Sequence, residues 1–185
     1  MESIGWQIRV DMPQALVEAL YVRDAAVLRP RSVPDLPALL PHVNGQTASD
    51  VLTRLASEQW STWWELLLRE PTHAVVEDRF LTTVPELRGL VAGLHGDARR
   101  YVDARKRELA RRRMGSPLEG RIVDQVERRQ RRGLPADFRL QLLEMPLSQP
   151  GSWRLDQDTY LVSTMLCTDE APYSSWLADV LTSKF

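Results

Sequence analysis

The side chains with most chemistry to offer in this chain are arginines. Between Asp97 and Gly133 lie 13 of the 24 Lys and Arg against 6 of the 25 Asp and Glu, a net of +7, which leaves −8 elsewhere although the whole chain sums to −1. At helical spacing Arg121, Arg128 and Arg132 fall on one outer face, while Arg105 and Arg112 interrupt the apolar stripe of the preceding helix. Guanidinium groups in such a row bind anions, either the phosphates of a nucleic acid or the carboxylates of an acidic protein surface. Two features favour the protein or solvent. Asp103 with Arg107, Glu108 with Arg112, Asp124 with Arg128 and Glu127 with Arg131 are i, i+4 pairs in the favourable order, so four basic residues have answers within their own helices. Tyr101 is the only aromatic residue in the segment, too little to stack on exposed bases.

Other chemistry is sparse. His42, His73 and His95 are scattered, and His73 with Glu77, one helical turn apart, leave a tetrahedral metal site incomplete. Cys167, the single cysteine, excludes an intramolecular disulfide framework and, at a strand end with no histidine nearby, reads as a small buried hydrophobe. Ser163, Ser174 and Ser175 lack a nucleophile elbow, and the glycines form neither a P-loop nor a dinucleotide fingerprint. Asp156, Asp158 and Thr159 resemble the D-x-D-x-T string of phosphoryl-transfer enzymes similar to haloacid dehalogenases. In that family the string follows a long apolar strand and here it precedes one, so it reads as a polar hairpin turn. No catalytic residue, cofactor or metal is assigned.

These residues need elements to hold them. Val51 to Glu70 carries three of the six tryptophans and reads as a strongly apolar helix with Val51, Leu52, Leu55, Ala56, Trp60, Trp63, Leu66 and Leu67 on its buried arc. Trp64 lies at the edge of that arc, closing the core or anchoring a partner. Alternation over residues 3–10 predicts a strand, and Asp11 and Pro13 open a helix to about Leu28. Pro30, Pro34, Pro37 and Pro41 then make a connector that buries Leu36, Leu39 and Leu40. A short helix is expected over 72–81. Thr83 and Glu86 form a capping-box pattern for a long helix whose Gly89, Gly93 and Gly96 suit close helix contact, with a helix break at Gly96 as the alternative. Ser116, Pro117 and Glu119 start a helix over 117–132, stopped by Gly133 as C-cap. That helix and the strand pair after it are similar in outline to a winged helix, without its recognition-helix signature. Phe138, Leu140 and Leu142 alternate as a strand that shifts register near Leu143. Trp153 to Leu155 and Thr159 to Cys167 continue as strands, and Tyr173, Trp176, Leu177, Val180 and Leu181 stripe a final helix.

The expected fold is α+β over residues 1–185 as one domain: mostly helical, with a small antiparallel sheet (N-terminal strand plus C-terminal hairpin or meander) and a projecting basic helical hairpin at 97–133. With arginine used in place of lysine as in GC-rich bacterial genomes, no secretory signal and no apolar run of about 20 residues, a cytoplasmic location is expected. The functional expectation is a non-enzymatic interaction protein, an adaptor, accessory subunit or immunity-type partner. Its docking face is Arg105, Arg112, Arg121, Arg128, Arg132 and Trp64, set against a protein partner with an acidic surface or a second copy. Nucleic-acid binding by the same arginines is the alternative, and an enzyme with a dispersed site the third reading. No membrane partner is expected.

Overall fold

The computed structural model describes residues 6–45, 50–69, 79–114, 118–135 and 137–185. Strand β1 (Gln7–Asp11) leads into helix α1 (Gln14–Ala25), whose N-cap is Pro13, a residue with no N–H to lose there. Helix α2 (Asp50–Arg69) and the 28-residue helix α3 (Pro85–Arg112) follow, then α4 (Leu118–Gln130). Strands β2 (Arg139–Met145), β3 (Ser152–Arg154) and β4 (Thr159–Ser163) precede a short helix α5 (Thr164–Thr168) and the last helix α6 (Glu170–Thr182). The class is α+β, as expected.

The sheet is not antiparallel. Its order is β1, β2, β4, β3, with β1 and β4 both parallel to β2 and only β3 antiparallel to its neighbour. Nor does β2 shift register at Leu143. Its pairing runs unbroken from Gln7 opposite Arg139 to Asp11 opposite Leu143, and from Gln141 opposite Thr159 to Met145 opposite Ser163. Helices cover both faces, so apolar residues are needed on both, and the run LQLLEM loses the alternation of a half-buried strand. On one face α1, α2 and α3 bury Leu16, Leu20, Trp60, Leu87 and Val102 with Leu143 and Leu161. On the other, α4 and α6 bury Ile122, Val126, Tyr173 and Leu177 with Leu142 and Val162.

The basic segment does not project. Its two helices lie on opposite faces of the sheet. Val102 and Leu109 carry the buried stripe of α3 almost to its end, and Lys106 Nζ donates to Gln14 Oε1 of α1 at 3.1 Å. Gly96 leaves α3 unbroken, and a Cβ at Gly89 or Gly93 would meet nothing within 4 Å, so among the described residues no helix packs closely against them. The expected capping box is replaced from outside: Thr83 Oγ1 donates to the Phe80 carbonyl, and Gln59 of α2 donates to Glu86 (2.8 Å) and accepts from Leu87 N (3.0 Å). Helix α4 ends on Arg131 in the left-handed region (φ 55°), and not on Gly133.

In α2 the buried set is Ala56, Trp60, Trp63, Trp64 and Leu67, and Val51, Leu52 and Leu55 stand 73%, 52% and 40% exposed because no neighbour among the described residues covers the first turns. Trp60 stacks on Trp64 (centroids 5.2 Å, planes 10° apart) and donates Nε1–H to the Ala19 carbonyl at 2.8 Å. The proline connector is pinned by buried Arg23, which donates to the carbonyls of Leu36 and Pro37, both at 2.8 Å. Asp24 takes the Leu39 N–H at 2.7 Å, and Leu40 N donates to the Pro146 carbonyl beyond the end of β2. Leu36 and Leu39 are buried, while Leu40 is 40% exposed. After β4 the chain coils, because Ser163 Oγ caps α5 by accepting from Leu166 N (3.1 Å), and Cys167 sits on that helix and not on a strand. The DQD turn closes the β3–β4 hairpin, with Asp156 Oδ1 accepting from Asp158 N at 2.8 Å. Most of the helix expected over 72–81, with His73 and Glu77, lies outside the described residues.

Candidate functional site

The structure divides the arginines of the expected docking face between two places. Arg121 and Arg128 stay together on the outer side of α4, where with Asp124, Gln125 and Arg129 they line a shallow groove of about 410 Å³. Arg129 was not singled out by spacing, yet it extends this face. Arg121 Nη2 meets Glu170 Oε1 of α6 at 3.2 Å, with both side chains more than 60% exposed. Among the described residues no ion pair engages Arg128 or Arg129. Arg132 is turned aside, its guanidinium 5.0 Å from the centroid of the Phe185 ring, a cation–π contact with the chain terminus.

Trp64 belongs to neither place. It is fully buried, so it closes the core and presents nothing to a partner. Tyr101 is occupied as well, tilted against Tyr21 at 5.5 Å, with burial pushing its hydroxyl pKa up.

Arg105 and Arg112 face a second cavity. It holds about 330 Å³ beyond the carboxyl ends of β1, β2 and β4, between α3, α5 and the Leu40–Pro41 end of the connector. This is where open sheets with parallel strands place ligands. Arg105 Nη1 pairs with Glu108 Oε2 at 2.6 Å, and its guanidinium lies 5.8 Å from the Tyr101 ring centroid. Arg112 Nη2 donates to Glu144 Oε1, which also accepts from Thr164 Oγ1 at 2.9 Å. Glu144 is fully buried. No family model, curated protein or solved structure matches this chain. The chemistry of these residues therefore stands on their own geometry.

Next to this cavity lies a second buried polar knot. Glu119 Oε1 accepts from the Tyr173 hydroxyl at 2.8 Å and from Arg113 Nη2 at 2.9 Å. Burial works against both charges, but hydrogen bonds and the opposite charge outweigh it, leaving Glu119 below and Arg113 above their ordinary pKa values. Burial, reinforced by the Glu119 charge, raises the Tyr173 hydroxyl so that it remains a donor. Burial, reinforced by the charge of Glu144, likewise raises the Cys167 thiol, so it is held as a thiol and not a thiolate.

The four i, i+4 pairs expected from spacing are not formed among the described residues. Glu108 turns to Arg105, Arg112 to Glu144, and Glu127 Oε1 accepts from Leu134 N at 2.8 Å. Only Arg112 exchanges its helical neighbour for a distant partner, one that the fold holds in place and that costs less side-chain freedom than a pair held only by a helix surface. No cluster of three or more potential metal ligands occurs among the described residues, and no described helix is long and apolar enough to cross a membrane.

Proposed function

We infer that the chain is a non-enzymatic interaction protein whose outer α4 face docks on an acidic protein surface. One observation carries this reading: Arg128 and Arg129 stand exposed beside Arg121 and, among the described residues, without an acidic partner, on a molecule whose other parts carry the negative excess. The one ion pair on this face, Arg121 with Glu170, is exposed and of a kind worth about 0–1 kcal/mol, so a partner's carboxylate can replace Glu170 at little cost. Arg105, Arg112, Arg132 and Trp64 leave the docking set, and Arg129 enters it. The rest of the chain carries a formal −8, so a second copy supplies charge of the right sign, which makes self-association the simplest case.

The test is sedimentation velocity at about 50 and about 200 mM salt, spanning a range over which exposed charge attraction is increasingly screened. Wild type is compared with the combined Arg121→Glu, Arg128→Glu, Arg129→Glu variant. Association that weakens with salt and disappears in the variant is the expected result for self-association, and a stoichiometric partner retained on native purification and lost in the variant is the expected result for a different protein. Labelled DNA and RNA are run in parallel by fluorescence anisotropy. Binding there that is steeply salt-dependent and lost in the variant moves the function to nucleic acid, and no association of any kind ends the docking reading.

A further inference from the structure

We propose that the cavity beyond the strand ends is a binding site for a small uncharged ligand bearing a hydrogen-bond donor beside an acceptor, as in a carboxamide or lactam, on an apolar body. The proposal is independent of the α4 face and uses different residues. Three polar atoms of residues around this cavity are shut off from solvent and lack a hydrogen-bond partner: Glu144 Oε2, Arg112 Nη1 and Arg105 Nε. Buried polar atoms are almost always satisfied, and leaving one unpaired costs about 1–3 kcal/mol, so three on residues that line one cavity, two of them on the partners of the Arg112–Glu144 pair, point to a missing partner. Two are donors and one is an acceptor. A single group that accepts from the arginines and donates to Glu144 answers them together, which neither a bare anion nor a cation does.

Charge and shape narrow the class. The ionised side chains in the wall are Arg105, Arg112, Glu108 and Glu144, which cancel, so the cavity has no net charge with which to balance an ion. Apart from Thr164 and Thr168, the rest of the lining is apolar, chiefly Leu40, Pro41, Leu109, Leu147 and Met165. A volume of about 330 Å³ lies at the small end of ligand pockets, which run from about 300 to about 1,000 Å³. The side chains of Arg105 and Arg112 keep 25% and 28% of their surface exposed, and turning them outward opens the three atoms to the polar end of the ligand in exchange for the Arg105–Glu108 and Arg112–Glu144 contacts. Thr164 holds the other oxygen of Glu144 in place from α5.

Cyclohexanecarboxamide and cyclohexanecarboxylate share a ring and differ in the head group, which makes them the probes. Titration calorimetry with the full chain is expected to give saturable binding of the amide with a Kd on the order of 1 mM, at least about tenfold tighter than the carboxylate. In amide-detected NMR, the signals of Thr164 and Met165 shift and those of Arg128 and Arg129 do not. Met165→Trp fills the mouth from a side chain already 38% exposed, so the protein folds and binding is lost. Glu144→Gln, which swaps the lone acceptor for an amide, weakens the amide probe about fivefold or more. Tighter binding of the carboxylate, no saturation by about 10 mM amide, or binding unchanged by Met165→Trp overturns the proposal. If Glu144→Gln does not fold, the Met165→Trp titration and the NMR map still decide it.

Discussion

At the scale of single residues, the buried ions set the behaviour. Glu119 has its folded pKa held below the ordinary 4.5 by its hydrogen bonds and by Arg113. A carboxyl group of this kind contributes stability that is present above about pH 4.5 and is lost as the pH falls through the lowered folded value. Glu119→Gln keeps an acceptor for Tyr173 but removes the charge facing Arg113. The variant should be less stable than wild type by about 2 kcal/mol at pH 7, with the gap closing on acidification below pH 4.5. Urea unfolding at a series of pH values checks this, and a gap independent of pH would assign the effect to packing. Glu144 shows how much of the cavity was legible in the sequence. An acid alone in the apolar run LQLLEMP, and an arginine within the buried stripe of α3, are each an ion where none should be. Each signals a buried partner, but nothing in their separation of 32 positions says they are partners of each other. The orphaned atoms are a property of three dimensions only.

At the scale of elements, local pattern located the helices and the fold decided their ends. The spacing of Tyr173, Leu177, Val180 and Leu181 gave α6 its buried face directly, because a helix on one side of a sheet needs only one stripe. By contrast, the start of α3 is capped by Gln59 from another helix, 27 and 28 positions away from its partners. No local motif contains that. The three glycines of α3 were legible as departures from helix propensity and misread as contacts. Since added methyl groups at Gly89 and Gly93 would meet open space, Gly89→Ala and Gly93→Ala should each stabilise the protein by about 0.5–1 kcal/mol. Thermal unfolding of the double variant is the measurement, and a lowered midpoint would show that the open face of α3 is covered in solution.

At the scale of the molecule, two cores share one sheet. Leu142 belongs to the α4–α6 side and Leu143 to the α1–α3 side, and both are fully buried neighbours on β2. Truncation of either to Ala should cost about 2–5 kcal/mol, and neither core should survive the loss of the other. Tryptophan fluorescence, weighted to the α2 cluster, and far-UV circular dichroism should therefore report one coincident urea transition in both variants. Separated transitions would mean that the two sides unfold independently. The sequence contained both sets of apolar residues, yet read them as one antiparallel layer, since strand direction depends on where the intervening helices carry the chain.

That route also orders events in time. β1 pairs with β2, and 128 positions separate Asp11 from Arg139. At a synthesis rate of about 5–20 residues per second, the first strand waits roughly 6–26 seconds for the strand it joins to be translated. Through that interval the apolar side chains of Ile8 and Val10 have no second core to enter, because β2, β4 and α6 are still to be made. β1 thus stays unpaired through that interval, and a holding chaperone would find a grip on it before any partner or ligand is met.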